Sequence, residues 1–442
     1  MQRMRCGTSQ LCITPPVGVE LAGFAARRQP SVGVHDDLYA RGLCLEQGQE
    51  KLLWLHADLL GFEQRHVRRL RSALARQLGL AERQILFSAT HTHSGPATLL
   101  LRSAGSVDAG YMLALEGHLV RAAGEAIAHP TEVTLHYGAG ICHLGVDRRP
   151  RSRLSHADPA LPVLAFRASP PAFAAGSGDQ QGQDYVAVVA NYAMHNVALP
   201  GENRHISADV AGAAARFIQE NLPGRPVVLF TNGGGGNVNP PASSTDFAVM
   251  EQFGQLLGRT AVYTAQIEAQ DYPEAALASQ LATVELPLIM LTPDLVEREY
   301  ERAMAECQPG SVFWEKARQA YADWRAETLA WLAQGKPAGS VTVDLQAVKI
   351  GPVRLIAIGA EVFSRMAEDL RHAMREPRLY VIGYANGDIG YLPPRAIYAE
   401  GGYEVDMAYK FYGNFMVAPG AFETLRKRAL GLIERVKDPP PR

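Results

Sequence analysis

Lys51-Leu-Leu-Trp-Leu-His-Ala57, a helical pattern from about Glu63 to Leu80, then Gln84-Ile-Leu-Phe-Ser88: this strand–helix–strand stretch decides the fold class. The outer pieces are short apolar runs that read as strands. Between them Val67, Leu70, Leu74 and Leu78 share one helical face, with Arg65, Arg68, Arg69 and Arg76 mostly elsewhere. Further strands are expected at Val186 to Tyr192, Arg225 to Phe230, Val353 to Ile358 and Leu379 to Gly383, and a helix from about Val362 to Met374. This alternation predicts an α/β fold, a mixed β-sheet core flanked by helices. In such sheets, ligands bind where loops leave the carboxyl ends of strands.

The whole chain has 442 residues, 47% hydrophobic and 20% charged, with 43 Lys+Arg against 45 Asp+Glu. That balance excludes a disordered or fibrous protein and leaves no basic footprint for nucleic acid or an anionic membrane. No apolar run approaches the ~18 residues of a membrane span. The N-terminus lacks an apolar signal region, which points to a cytoplasmic protein and leaves a secreted mature form open. Five scattered cysteines, none in a C-x-x-C pair, fit buried thiols. No linker divides the chain, so residues 1–435 are expected to form a single domain. Residues 294–334 read as a helical hairpin insertion broken at Gln308-Pro-Gly-Ser311, packed on the core or serving as a lid. Ala174 to Gln183 reads as a flexible loop, and 436–442 as a frayed tail. Oligomeric state is not legible.

The sharpest chemical signal is Thr90-His91-Thr92-His93-Ser94-Gly95-Pro96, directly after a strand. Two histidines at i and i+2 of an extended chain point to one side, and imidazole is the usual zinc ligand. Taken alone, the pair is equally a structural pair at a strand end. Other polar residues follow other strands: His195, the run Asn232-Gly-Gly-Gly-Gly-Asn-Val-Asn-Pro240, Glu361 and Tyr391. Each has a plain alternative. His195 reads as a core histidine, Glu361 as a carboxylate opening a helix, and Asp209 as a helix cap. The glycine run is either a phosphate cradle, though no Gly-Lys-Ser/Thr follows, or a place where main chain passes close to a metal or substrate.

Taken together, these segments resemble the N-terminal catalytic domain of the neutral/alkaline (non-lysosomal) ceramidase family. The likeness begins at Cys12-Ile-Thr-Pro-Pro16 and runs through Gly33 to Gly42 and Ala57-Asp58-Leu59. Thr90 to Pro96 is its most specific element. Val146-Asp147-Arg148-Arg149-Pro150, Ala193-Met194-His195, Asn237-Val-Asn-Pro240, Ala360 to Met366, and Gly390-Tyr391 with Tyr403-Glu404 follow in family order. The resemblance implies one Zn²⁺ held by His91, His195, Glu361 and Tyr391, with His93, Arg148 and Tyr403 around the scissile carbonyl. Asn239 stands where the family carries a serine. It can orient water or donate to an oxyanion, but it cannot attack as an alkoxide. The chain as read ends before the family's C-terminal β-sandwich. The implied activity is zinc-dependent hydrolysis of the amide bond of a small or lipid-like N-acyl substrate, not necessarily ceramide. The competing readings are a metal-dependent amidohydrolase on a (β/α)₈ barrel, in which His91 and His93 both bind metal, a phosphoesterase using the glycine loop, and a non-catalytic ligand-binding protein.

Overall fold

The computed structural model describes residues 3–27, 29–169, 184–308, 310, 312–335, 339–412 and 415–436. The loop expected at 174–183 and the tail from 437 onward lie outside these residues, as do two positions of the hairpin break, 309 and 311.

In chain order the main elements are β1 (Met4–Cys12), β2 (Tyr39–Gln47), β3 (Glu50–Ala57), α1 (Gln64–Leu78), β4 (Ile85–Ala89), α2 (Ala109–Ala128), β5 (Thr131–Ile141), β6 (Ala160–Ala168) and β7 (Tyr185–Tyr192). There follow α3 (Asp209–Asn221), β8 (Val227–Asn232), α4 (Phe247–Tyr263), β9 (Gln270–Tyr272), β10 (Leu277–Pro287), α5 (Pro293–Glu306) and α6 (Val312–Ala333). Last come β11 (Ser340–Ile350), β12 (Val353–Ile358), α7 (Arg365–Met374), β13 (Leu379–Ile382) and α8 (Ala421–Glu434).

A nine-stranded mixed sheet runs β8-β7-β6-β5-β1-β2-β3-β4, with β9 also paired to β5. Only β7–β8 and β3–β4 are parallel; the other pairs are antiparallel. A second sheet runs β10-β11-β12-β13, with β12 and β13 parallel. The period-2 rule explains the layering. In β3, Leu53 and Leu55 face α1 and α2, whereas Leu52 and Trp54 face the second sheet. Leu43, Leu86, Leu164 and Leu229 join Trp54 against Val348, Leu355, Tyr380 and Ile382. Helices α3 and α4 cover β6, β7 and β8 on the outer face, and α7 and α8 cover the second sheet. The order is therefore helix, sheet, sheet, helix. It has no closed eightfold barrel among the described residues, so the barrel amidohydrolase reading falls.

Details follow local chemistry. Helix α1 ends where Gly79 turns left-handed (φ 66°) and its N–H bonds Ala75 O. Strand β8 starts two residues later than expected because Arg225 is left-handed (φ 49°) and Pro226 has no N–H. The hairpin is present as α5 and α6, with Tyr321 and Trp324 fully buried. All five cysteines are free, and only Cys12 is exposed. No described helix is long and apolar enough to cross a membrane.

His56 of β3 is wholly buried, and burial, with the Arg41 guanidinium adding to it, lowers its pKa to about 3. The unfolded chain binds a proton at His56 below about pH 6.5 that the fold refuses, so this residue's contribution to stability is flat above that pH and falls beneath it. The expected slope is about 1.4 kcal/mol per pH unit, or about 2 kcal/mol between pH 6.5 and 5. Denaturant titrations at pH 6 and pH 4 should show a shallower slope, by that amount, in His56→Gln. Equal slopes would contradict the assignment.

Candidate functional site

Five loops leave the carboxyl ends of β4, β7, β8, β12 and β13 and meet in one place. After β4, His91 adopts left-handed backbone (φ 62°), a conformation uncommon for a residue with a side chain. The expected extended i, i+2 geometry is thus corrected: β4 stops at Ala89, and His91 N–H turns back to Leu59 O at 2.9 Å. The turn still brings the two rings together, with Nε2 of His93 3.2 Å from Nε2 of His91. Arg27, buried, donates to His93 O at 2.9 Å and fixes the loop from the opposite side.

His195 follows β7. Its Nδ1–H donates to Gly235 O at 2.7 Å, as the Nδ1–H of His91 does to Leu60 O at 2.7 Å. A carbonyl can only accept, so in each ring Nδ1 carries a hydrogen and Nε2 is the nitrogen that faces inward. Glu361 faces them: its Oε2 lies 3.1 Å from His195 Nε2 and 3.4 Å from His91 Nε2. Glu361 does not open a helix. It pairs in parallel with Tyr391 across a two-residue bridge, and its N–H bonds Gly390 O at 2.9 Å, which holds the backbone extended until α7 begins at Arg365. That register sets acid and phenol side by side, with Tyr391 Oη 3.2 Å from His195 Nε2. The Tyr412 hydroxyl donates to the other oxygen of Glu361.

Electrostatics make the cluster electron-rich. Burial, reinforced by the neighbouring imidazoles, holds His93 well below the usual imidazole range. Burial also lowers His195. For Glu361 burial acts upward, but His91 and His195 outweigh it and keep the carboxyl well below its ordinary range. Both Nε2 atoms therefore converge on one carboxylate oxygen, an arrangement of two imidazoles and an acid that suits a cation held among them. A tetrahedral ion with ligand bonds of ~2.0–2.1 Å has ligand–ligand edges of about 3.3 Å. The distances of 3.1–3.4 Å given above fit that figure. His91, His93 and His195 also form a group whose donor atoms lie within 4.8 Å of one another. His93, expected only to line the pocket, thus shares the same space as the two histidines expected to bind metal.

All eight residues singled out from the sequence (His91, His93, Arg148, His195, Asn239, Glu361, Tyr391 and Tyr403) line a single cavity of about 560 Å³. Arg148 is clamped by Glu404 Oε1 (2.7 Å) and Gly236 O (2.8 Å) and lies over the Tyr391 ring. Asn239 Oδ1 is buried without a hydrogen-bond partner among the described residues. Tyr403 stands at the mouth, 37% exposed. Phe313 of α6 and Phe411 add apolar wall.

The glycine run is not a phosphate cradle. Gly233, Gly235 and Gly236 N–H groups already bond Tyr192 O, Gly233 O and Val362 O. Instead the run lets main chain pass close to Ala193 and Met194 on one side and to Glu361 and Val362 on the other. Asp209 does more than cap: it is the first residue of α3, and its carboxylate accepts the N–H groups of Ala198 (3.2 Å) and Leu199 (3.0 Å), tying down the loop after His195.

The sequence reading missed Tyr412, Tyr384 and Arg27. Tyr384 stacks on His91 at 3.8 Å between ring centroids. Nothing local to Tyr384, Tyr412 or Arg27 marks them in the sequence.

Known proteins share the family profile and the fold. The profile of the neutral/alkaline non-lysosomal ceramidase N-terminal domain matches residues 5–240. A neutral ceramidase of Pseudomonas aeruginosa is 26% identical over 246 residues, covering 50% of this chain and 34% of the relative, so the match spans about a third of that protein's length. Among solved structures, a ceramidase complexed with C2 superposes with a TM-score of 0.76 at 18% identity, over 98% of this chain and 75% of the other. The neutral ceramidase of Pseudomonas aeruginosa gives 0.74 at 20% identity, over 99% and 76%. At these identities the structural likeness concerns the fold.

Proposed function

Because the chain belongs to the neutral/alkaline non-lysosomal ceramidase family, we propose that it is a zinc-dependent hydrolase cleaving the amide bond of an N-acyl compound. The observation that supports this most is the pair of imidazole Nε2 atoms turned inward against Glu361 Oε2 at 3.1 and 3.4 Å. In this reading His91, His195, Glu361 and Tyr391 hold the ion. A zinc ion there supplies Lewis acidity, polarising a carbonyl and bringing the pKa of a bound water from ~15.7 toward ~7.

The chain's own groups supply the rest. His93, neutral and facing the centre, takes the proton of the attacking water and returns it to the departing amine as the C–N bond breaks. Arg148, fixed by Glu404, and Tyr403 place positive charge and an O–H donor beside the carbonyl oxygen. Asn239 has a carboxamide whose oxygen is unpartnered, free to orient water or to present its N–H₂ to the oxyanion. Asn239→Ala is expected to lower kcat by about 10²-fold with little change in KM, the usual cost of one oxyanion donor. A change confined to KM would remove Asn239 from the reaction.

The direct experiment is metal analysis beside a hydrolysis screen of N-acyl amines, N-acyl amino acids, short esters and a fluorescent ceramide. Stoichiometric, chelator-removable zinc, with acyl release that stops on chelation, is the expected result. A chain that takes up no zinc and releases no acyl group would instead be a ligand-binding protein. The family places lipid amides among the candidate substrates, and the screen decides between these and shorter ones.

A further inference from the structure

Beside the cavity lies a second, open groove of about 1100 Å³, and Arg148 lines both. Its wall is the segment Arg148-Arg149-Pro150-Arg151-Ser152-Arg153, facing Ala396 and Ala399. The charges do not cancel. Glu404 answers Arg148 and Arg149 through two bonds of 2.7 Å, and Glu400 meets Arg149 at 3.3 Å and the Ser152 hydroxyl at 2.9 Å. Two acids thus neutralise two arginines. Arg151 and Arg153 remain exposed, and neither has an ion pair among the described residues. These two exposed cations line a groove that shares Arg148 with the cavity, whose own lining includes the apolar Leu60, Leu101, Phe313 and Phe411.

From this juxtaposition we infer that the groove receives an anionic head group, a carboxylate or phosphate on the amine half of the substrate, while the acyl half enters the apolar cavity. The inference rests on the proposed amide hydrolysis and names its substrate class: N-acyl compounds carrying negative charge, such as N-acyl amino acids. In that reaction the acyl C–N bond breaks, water adds OH to the acyl carbon and H to the nitrogen, and the released amine keeps its anionic group. Arginine suits the task because its planar fork matches carboxylate and phosphate.

The test separates head-group recognition from turnover. Calorimetry on the chelated full chain compares N-decanoylglycine with N-decanoylethanolamine, which share an acyl chain and differ in head charge. At low salt the anionic compound should bind about tenfold more tightly, with the gap closing toward 1 M salt as screening shortens to ~3 Å. The double variant Arg151→Glu, Arg153→Glu should lose this preference and keep its affinity for the neutral compound. Equal affinities in the native protein, or a preference that survives the double variant, overturns the inference. So does a variant that loses only binding to phosphatidylglycerol vesicles while its affinity for N-decanoylglycine stands, because the groove would then serve a membrane surface. Zinc-loaded protein that splits neither compound, with the binding preference intact, counts against the hydrolase reading and leaves head-group recognition supported.

Discussion

Glu361→Gln is expected to abolish zinc binding while leaving the metal-free protein folded and at least as stable as the native chain. With Nδ1–H of His91 and His195 on Leu60 O and Gly235 O, both Nε2 atoms face Glu361, whose charge a cation among them would need. The native carboxylate supplies charge to bind one and is a wholly buried charge when none is present. Glutamine keeps the shape and can turn its N–H₂ toward those nitrogens, satisfying them without metal. The variant should therefore show zinc affinity lower by about 10³-fold or more, beyond the 10–100-fold typical of losing an outer partner of a ligand. Thermal unfolding gives a second readout. At free zinc of about 1,000 times the native Kd, the native chain gains about 4 kcal/mol, and the variant should gain almost nothing. Hydrolysis, if present in the native protein, should fall with the metal. Full zinc occupancy in Glu361→Gln would sink the ligand assignment, and a variant much less stable than native in chelator would show that Glu361 is structural.

How much of this was legible beforehand differs between parts of the molecule, for physical reasons. Strands such as Lys51–Ala57 and Val353–Ile358 are visible because short apolar runs bounded by turns have few alternatives. The convergence of loops at strand ends follows from chain direction, and it holds here for β4, β7, β8, β12 and β13. The division into two facing sheets was not legible. Leu53 and Trp54 are adjacent apolar residues, and nothing in the sequence says that one meets a helix and the other a second sheet. Arg71 illustrates the same gap. It lies within the helical pattern of α1 but is buried, bonded at 2.9 Å to Asp344, some 270 positions away in the second sheet. Glu361 was misplaced because the amphipathic pattern after it is real but starts later. The pairing with Tyr391 that keeps it extended is a contact thirty residues distant. The left-handed turn at His91 had no glycine or asparagine to announce it, which is the usual condition of strain held by surrounding structure.

Gly236→Ala is expected to be among the most damaging single-methyl additions in the chain, and the reason concerns the site as much as the fold. A Cβ at Gly236 would lie 2.6 Å from Glu361 O and 2.9 Å from Val362 O, both main chain and so unable to rotate away. The loop carrying Asn237 to Asn239 would have to part from the strand carrying Glu361. That movement breaks the Gly236 N–H bond to Val362 O (2.9 Å) and shifts the Gly236 O that holds Arg148 (2.8 Å). Overpacking a core that can adjust costs about 1–3 kcal/mol, and this position cannot adjust without losing those bonds, so the loss should exceed that range. Gly117 provides the contrast. It sits in α2 with open space where its Cβ would be, and Gly117→Ala should stabilise by up to about 1 kcal/mol through helix propensity. Denaturant unfolding and zinc titration of the two variants together distinguish the possibilities. Gly236→Ala should lose both stability and zinc affinity, because Glu361 and His195 are held at their 3.1 Å spacing by the contact that the methyl group destroys. If it instead unfolds within 1 kcal/mol of the native chain and binds zinc equally well, the glycines are not what brings the ligand-bearing segments together, and the close approach of main chain at this loop has no bearing on the metal.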